Sequence, residues 1–105
     1  MEQLHFDFAG GRAAKNRAGH ALVGVVASGN LEVMIEQAAL NGRMQVVVNT
    51  AARGFGKTWQ AVLNDFHVRH PLADVVISIN DVGATPAVVN LRLDQAVEAF
   101  EGQDS

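Results

Sequence analysis

The sequence predicts an α/β protein of the α+β kind: a two-layer sandwich whose mostly antiparallel sheet carries two helices on one face, in the order β-β-β-β-α-β-α. Three observations lead to it. Apolar and polar residues alternate through much of the first half, a Ser-Gly-Asn triplet breaks one apolar run into a hairpin, and the second half holds two segments with the same helical spacing.

Leu4, Phe6 and Phe8 alternate with His5 and Asp7, the period of a half-buried strand, and the pattern stops at Gly10-Gly11. Arg12 to Gly19 is basic and small, and reads as an exposed loop. Ala21 to Ala27 is apolar on both faces, as expected of a central strand or of one that touches a partner. Ser28-Gly29-Asn30 then interrupts, after which Leu31, Val33 and Ile35 alternate with Glu32, Met34 and Glu36. Gly takes positive φ without a clash and Asn tolerates it, so Ser28 is placed at the tip or shoulder of a hairpin. A further strand follows Asn41-Gly42, with Met44, Val46 and Val48 on one face; consecutive strands on short turns favour an antiparallel meander.

The period then changes. Phe55, Trp59, Val62, Leu63 and Phe66 form one helical stripe, which His70-Pro71 ends, because the residue before proline is pushed out of the α region. A strand is expected at Asp74 to Asn80 and a turn at Asp81-Val82-Gly83. Thr85-Pro86 reads as an N-cap with proline at the first helical position, opening a helix whose Val89, Leu93, Ala96, Val97 and Phe100 repeat the earlier stripe. No repeat or linker divides the chain, so residues 1–105 are read as a single domain.

Composition narrows the function classes. The net charge is -3 and Lys and Arg number only 8 without a dense run, so a phosphate-backbone partner is not expected. No apolar stretch approaches the roughly 20 residues that span a bilayer, and the first ten residues lack the basic and long apolar segments of a signal peptide. A cytoplasmic protein is expected, with no membrane and no nucleic acid among its partners. Cysteine is absent, which excludes disulfides and thiolate metal sites; any thiol chemistry must be attached or bound.

Several constellations invite a chemical reading. Ala51-Ala52-Arg53-Gly54-Phe55-Gly56-Lys57-Thr58 approximates a phosphate-binding loop, and Asp81 follows a strand where a metal-binding acid could stand. Ala51 replaces the first glycine, however, Phe55 is wanted by the core stripe, and the chain is short for the sheet such a site needs. His5, His20, His67 and His70 lack an accompanying acid or Cys cluster, so no metal is assigned. Glu32, Glu36, Asp65, Asp74, Asp81, Asp94 and Glu98 fall on faces that periodicity makes exposed and form no acid–base pair, so no catalytic residue is assigned. Ser28 is a poor nucleophile, since no base lies near it in sequence and its turn leads into a strand rather than a helix. As an attachment point it needs only access. From pattern alone it is a turn serine.

Resemblance adds to that reading. Val23 to Val33, with Ser28-Gly29-Asn30 at its centre, resembles the prosthetic-group site of the acyl carrier subunits of malonate decarboxylases, their delta subunits. Ile77 to Ala96, containing Asn80-Asp81-Val82-Gly83-Ala84-Thr85-Pro86, extends the resemblance, as do Gly54-Phe55-Gly56 and Trp59-Gln60. A more distant likeness is to the acyl carrier subunit of citrate lyase. The resemblance implies that Ser28 holds 2'-(5''-phosphoribosyl)-3'-dephospho-coenzyme A through a phosphodiester, with Gly29 and Asn30 as its turn context. The attached thiol would then carry acetyl, exchange it for malonyl on a malonyl transferase subunit, and present malonyl to the decarboxylase subunits. A prosthetic-group transferase is a further implied partner. Asn30 stands where the family more often has Asp, which keeps the turn chemistry and removes one negative charge. Val23, Val25 and Val26 beside the site are expected to help dock the carrier on larger subunits, the alternative being burial in its own core.

Overall fold

The computed structural model describes residues 1–13 and 23–102. In chain order the elements are β1 (Glu2–Phe8), β2 (Arg12–Ala13), β3 (Val23–Ser28), β4 (Leu31–Gln37), β5 (Met44–Thr50), α1 (Gly56–Arg69), β6 (Leu72–Ala73), β7 (Val75–Asp81) and α2 (Pro86–Glu101). Five strands form the main sheet in the order β1-β5-β7-β4-β3, and β2 with β6 makes a two-residue parallel pairing beside it.

Period-two patterning puts one residue in two on the helix side. Leu31, Val33 and Ile35 of β4, Met44, Val46 and Val48 of β5, and Val75, Ile77 and Ile79 of β7 are all buried on that face. Both helical stripes meet them there: Trp59, Leu63 and Phe66 from α1, and all five expected residues from α2. Truncating Ile77, at the middle of the middle strand, to alanine would cost about 2–5 kcal/mol by the usual scale for buried aliphatics. The α2 start is as expected, with Pro86 in the first turn and the Thr85 hydroxyl accepting the Val88 N–H at 3.3 Å.

The order of strands departs from a meander. The β3–β4 hairpin is present, but β7 enters between β4 and β5, pairing antiparallel with β4 and parallel with β5. A strand, a helix and a second strand in the same direction, β5-α1-β7, place β7 beside β5, as such crossovers do. Asp74 holds the separation open. Its N–H donates to Arg43 O at 2.7 Å, its carbonyl accepts the Ala38 N–H at 2.9 Å, and its carboxylate accepts the N–H groups of Leu40 and Gly42, each at 3.0 Å. The loop after β4 therefore wraps around the start of β7 before entering β5.

Three smaller expectations also change. Phe55 lies one residue before α1 and is half exposed, so the core stripe of that helix begins at Trp59. The expected strand Asp74–Asn80 runs from Val75 to Asp81, because Asp74 takes a left-handed conformation, φ 58°. The expected loop at Arg12–Gly19 opens with β2; its remainder lies outside the described residues, as do His20, Ala21 and Leu22. No described helix is long and apolar enough to cross a membrane.

Candidate functional site

β3, β5 and β7 run in one direction, since β4 is antiparallel to both of its neighbours and β5 is parallel to β7. Their last residues consequently share one end of the sheet. The register there runs Ser28–Leu31–Asp81–Thr50–Glu2, and because facing residues point the same way, Ser28 lies on the helix side with Leu31, Asp81 and Thr50.

Ser28 ends the edge strand β3, and Gly29-Asn30 makes the two-residue return into β4. Neither Gly29 nor Asn30 takes the positive φ that the sequence suggests. The turn is secured differently: the Asn30 carbonyl accepts the Val82 N–H at 3.0 Å, tying the tip to the loop before α2. The half-buried Ser28 hydroxyl shares its one proton between Asn30 Oδ1 at 3.1 Å and the Leu31 carbonyl at 3.3 Å. Among the described residues no His and no charged group hydrogen-bonds Ser28, and none of them activates it as a nucleophile. A Cβ on Gly29 would meet nothing within 4 Å, which leaves the approach to the hydroxyl open on that side.

The surrounding rim is built more tightly. Asp81, one of the carboxylates expected on exposed faces, is 5% exposed. Its Oδ2 accepts the Thr50 hydroxyl at 2.8 Å, and its Oδ1 accepts the N–H groups of Gly83 and Ala84 at 3.1 and 2.8 Å. Thr50 Oγ1 in turn accepts the Ala52 N–H at 3.1 Å. Asp81 is thus a staple joining two strand ends to the loops that follow them, with both oxygens occupied by protein donors. That leaves the loop at Ala51–Thr58 without the metal-holding acid of a nucleotide site, although Lys57 and Thr58 stand exposed in the first turn of α1.

The described histidines each contact a neighbour within the fold. His67 lies against Phe8 with ring centroids 5.1 Å apart, and His70 Nε2 is 3.0 Å from Asp94, which also pairs with Arg69. His5 contacts Gln3 on the open face. Among the described residues no three His, Cys, Asp or Glu side chains gather to hold a metal. On that open face, one residue inside the rim, an amide ladder crosses four strands: Gln3 donates to Asn49, Asn49 to Asn80 and Asn80 to Glu32.

β3 is an edge strand, so of the two explanations for its apolar run the central position is excluded. Val25 is 54% exposed on the open face, whereas Val26 packs on the core. The feature that sequence reading missed is a cleft of about 300 Å³ beyond the ends of β5 and β7, between the starts of the two helices. The signal was available: in sheets with parallel strands, ligand crevices form outside the carboxyl ends of those strands.

The fold and sequence of this chain are similar to those of known proteins. A family model for acyl carrier proteins, described as malonate decarboxylase delta subunit (MdcD), matches residues 18–100. The malonate decarboxylase acyl carrier protein of Xanthomonas euvesicatoria pv. vesicatoria (strain 85-10) is 63% identical over 105 residues, 100% of both chains. That of Burkholderia cepacia is 62% identical over 96 residues, 91% of this chain and 87% of the relative. A chain in the crystal structure of a Pseudomonas malonate decarboxylase hetero-tetramer in complex with malonate superimposes with a TM-score of 0.71 at 40% identity, covering 95% of this chain and 99% of that one.

Proposed function

From the premise that this chain belongs to the malonate decarboxylase delta-subunit family of acyl carrier proteins, we propose that Ser28 is the attachment point of its prosthetic group. The chain is a carrier and not a catalyst. In this reading residues 1–105 act as one acyl-carrier domain in the cytoplasm. It works with the transferase and decarboxylase subunits of a malonate decarboxylase complex, carrying acetyl and malonyl groups while malonate becomes acetate and carbon dioxide.

The observation that supports the reading best is the setting of Ser28, a hydroxyl at the tip of an edge hairpin with exposed Gly29 and Asn30 beside it. Ser78, by contrast, lies in the middle of β7 with a strand on either side. The group proposed is 2'-(5''-phosphoribosyl)-3'-dephospho-coenzyme A, held as a phosphodiester on Ser28 Oγ. The residues fit it: attachment asks for an accessible oxygen, an open approach and no competing base, and Ser28 with Gly29 supplies these among the described residues. When bound, the group supplies the thiol that the chain lacks. This chain's own residues hold the tether at one edge of the fold, which raises the effective concentration of the attached group at neighbouring sites.

The test is modification in place. Coexpression with the prosthetic-group transferase should add one such group by intact mass, and peptide mapping should put it on Ser28. Ser28→Ala should accept none, while its stability stays within about 0.5 kcal/mol of the parent, as expected for a small change at a surface turn. Mapping to Ser78 or Ser105 would overturn the assignment, as would a Ser28→Ala carrier that still supports malonate decarboxylation in the reconstituted complex. The purified single chain should not turn over malonate.

A further inference from the structure

We infer that the cleft between the helix starts is a seat for the adenine ring of the group tethered at Ser28, so that the arm is anchored at its base while its thiol end stays free. The inference rests on the attachment proposed above and adds residues to it. The cleft lies beyond the ends of β5 and β7 and is lined by Phe55, Thr58, Trp59, Ala84, Pro86 and Val89 among others.

Position is the first argument. Ser28 and the Asp81 end of β7 occupy one row of the sheet and one face, two strand spacings apart, which is roughly 10 Å. The wall of the cleft on that side hangs from the same tip: the Val82 N–H donates to Asn30 O, and Asp81 fixes the N–H groups of Gly83 and Ala84. Because α2 packs over β3 and β4, a group leaving Ser28 must pass the start of that helix, at the exposed Val82, to reach the cleft.

Size and chemistry select the part of the arm. A volume of about 300 Å³ is at the small end for ligand pockets and holds a ring system rather than a whole coenzyme. The lining is largely apolar. Trp59 is 6% exposed in its wall, and Phe55 stands at its mouth, 51% exposed and outside the core stripe it was expected to join. A flat base stacks on an exposed ring such as that of Phe55 with little regard to its edge pattern. Thr58 adds a hydroxyl at the opening for a ring nitrogen or amine. In the arm, adenine is separated from the serine oxygen by a phosphate and two ribose units, whereas the thiol lies at the far end of the pantetheine. Seating adenine therefore shortens the sweep of the arm without hiding its cargo, and it accounts for an exposed phenylalanine that the fold itself does not use.

Trp59 is the sole tryptophan of the chain and lines this cleft. Intact mass first establishes the group on Ser28, and Trp59 emission is then compared between modified and unmodified protein. We expect quenching in the modified form. Free 3'-dephospho-coenzyme A added to unmodified protein should quench the same emission saturably, pantetheine should not, and Phe55→Ala should weaken the nucleotide effect about tenfold with an unchanged circular dichroism spectrum. Protein that carries the group on Ser28 yet shows unaltered Trp59 emission would overturn the seat and leave the attachment standing. Quenching by pantetheine instead would assign the cleft to the cargo end and overturn the adenine seat equally. Absence of any group on Ser28 would remove the attachment and the seat together.

Discussion

β4 is flanked by two turns made of the same two residue types in opposite order, Gly29-Asn30 before it and Asn41-Gly42 after it, and they do opposite work. At the second, Asn41 and Gly42 both take positive φ, 56° and 81°, and the Asp74 carboxylate grips the backbone N–H of Gly42 and of its neighbour Leu40. At the first, neither residue is in the left-handed region, and the bonds in hand are one backbone link from Val82 and the shared Ser28 hydroxyl. The second turn must route the chain around β7, a task that over-determines its backbone. The first only reverses the chain at a sheet edge, so its hydroxyl can be reached. A difference in constraint thus separates the turn that builds the topology from the turn that offers a chemical handle.

Of the two turns, the routing turn is therefore where the larger effect of substitution is expected. Gly42→Val forces a β-branched residue to φ 81° and should destabilise the fold by about 2 kcal/mol, read as a lower midpoint in urea at unchanged slope. A Gly42→Val protein as stable as the parent would show that the turn can be rebuilt, and the contrast between the two turns would fail.

Asp74 tests the same turn through its charge. The Gly42 N–H, and after it that of Leu40, holds the Asp74 carboxyl below the usual carboxylate range, against a small opposing effect of burial. A carboxyl whose pKa is lower folded than unfolded contributes stability above its unfolded value, and that contribution is lost as pH falls through the folded one. Asp74→Asn keeps tolerance of the left-handed backbone and removes the charge. Its stability should accordingly fall less steeply than the parent's as pH drops below about 4. Acid limbs that superimpose in the two proteins would mean that Asp74 acts through shape alone.

How much of this was legible in the sequence follows from which forces are local. The α2 stripe, the α1 stripe from Trp59 onward, the Thr85-Pro86 start and the β3–β4 hairpin depend on spacing within a few residues, and they stand as read. The place of β7 does not, because Asp74 reaches across 34 and 32 residues to Leu40 and Gly42 and nothing near Asn41-Gly42 announces it. Asp81 misled for a related reason. Periodicity puts it at a strand end, and its burial comes from a Thr50 hydroxyl brought beside it only by the parallel pairing of β5 and β7. Ser28 itself was legible as a turn residue; the role proposed for it came from resemblance, since a hydroxyl that is to be modified needs no partner that a pattern could reveal. The cleft at Phe55 and Trp59 was hidden by the assumption that an aromatic residue on a helical spacing belongs to the core.

A smaller effect of opposite sign is expected at the Gly29-Asn30 turn. Gly29 is outside the left-handed region and a Cβ there meets nothing within 4 Å, so Gly29→Ala should raise stability by about 0.5 kcal/mol through the lower entropy of its unfolded chain. If Gly29→Ala instead destabilises the protein as Gly42→Val does, the two turns are equally constrained. A stabilised variant that is modified more slowly on Ser28 would sharpen the contrast, showing that the open side of Gly29 serves the approaching transferase.

The least effect on folding, and the most specific effect on assembly, is expected at Val25. Its side chain is 54% exposed on the open face of the edge strand, while its neighbour Val26 faces the core, so a charge at position 25 stays outside the core. Lysine is moreover a residue that exposed sheet edges accommodate. Val25→Lys should therefore leave stability within about 0.5 kcal/mol of the parent. If this edge docks on a larger subunit of the decarboxylase complex, the same substitution buries an unpaired ammonium at the contact, and binding should weaken at least about tenfold. Titrating the remaining purified subunits with each carrier would measure it. Equal affinities would place the docking surface elsewhere, with the amide ladder from Gln3 to Glu32 as the next region of the open face to vary. Loss of binding with an intact fold would show that the strand carrying Ser28 is also the strand by which the carrier is held, which keeps the tether within reach of its partners.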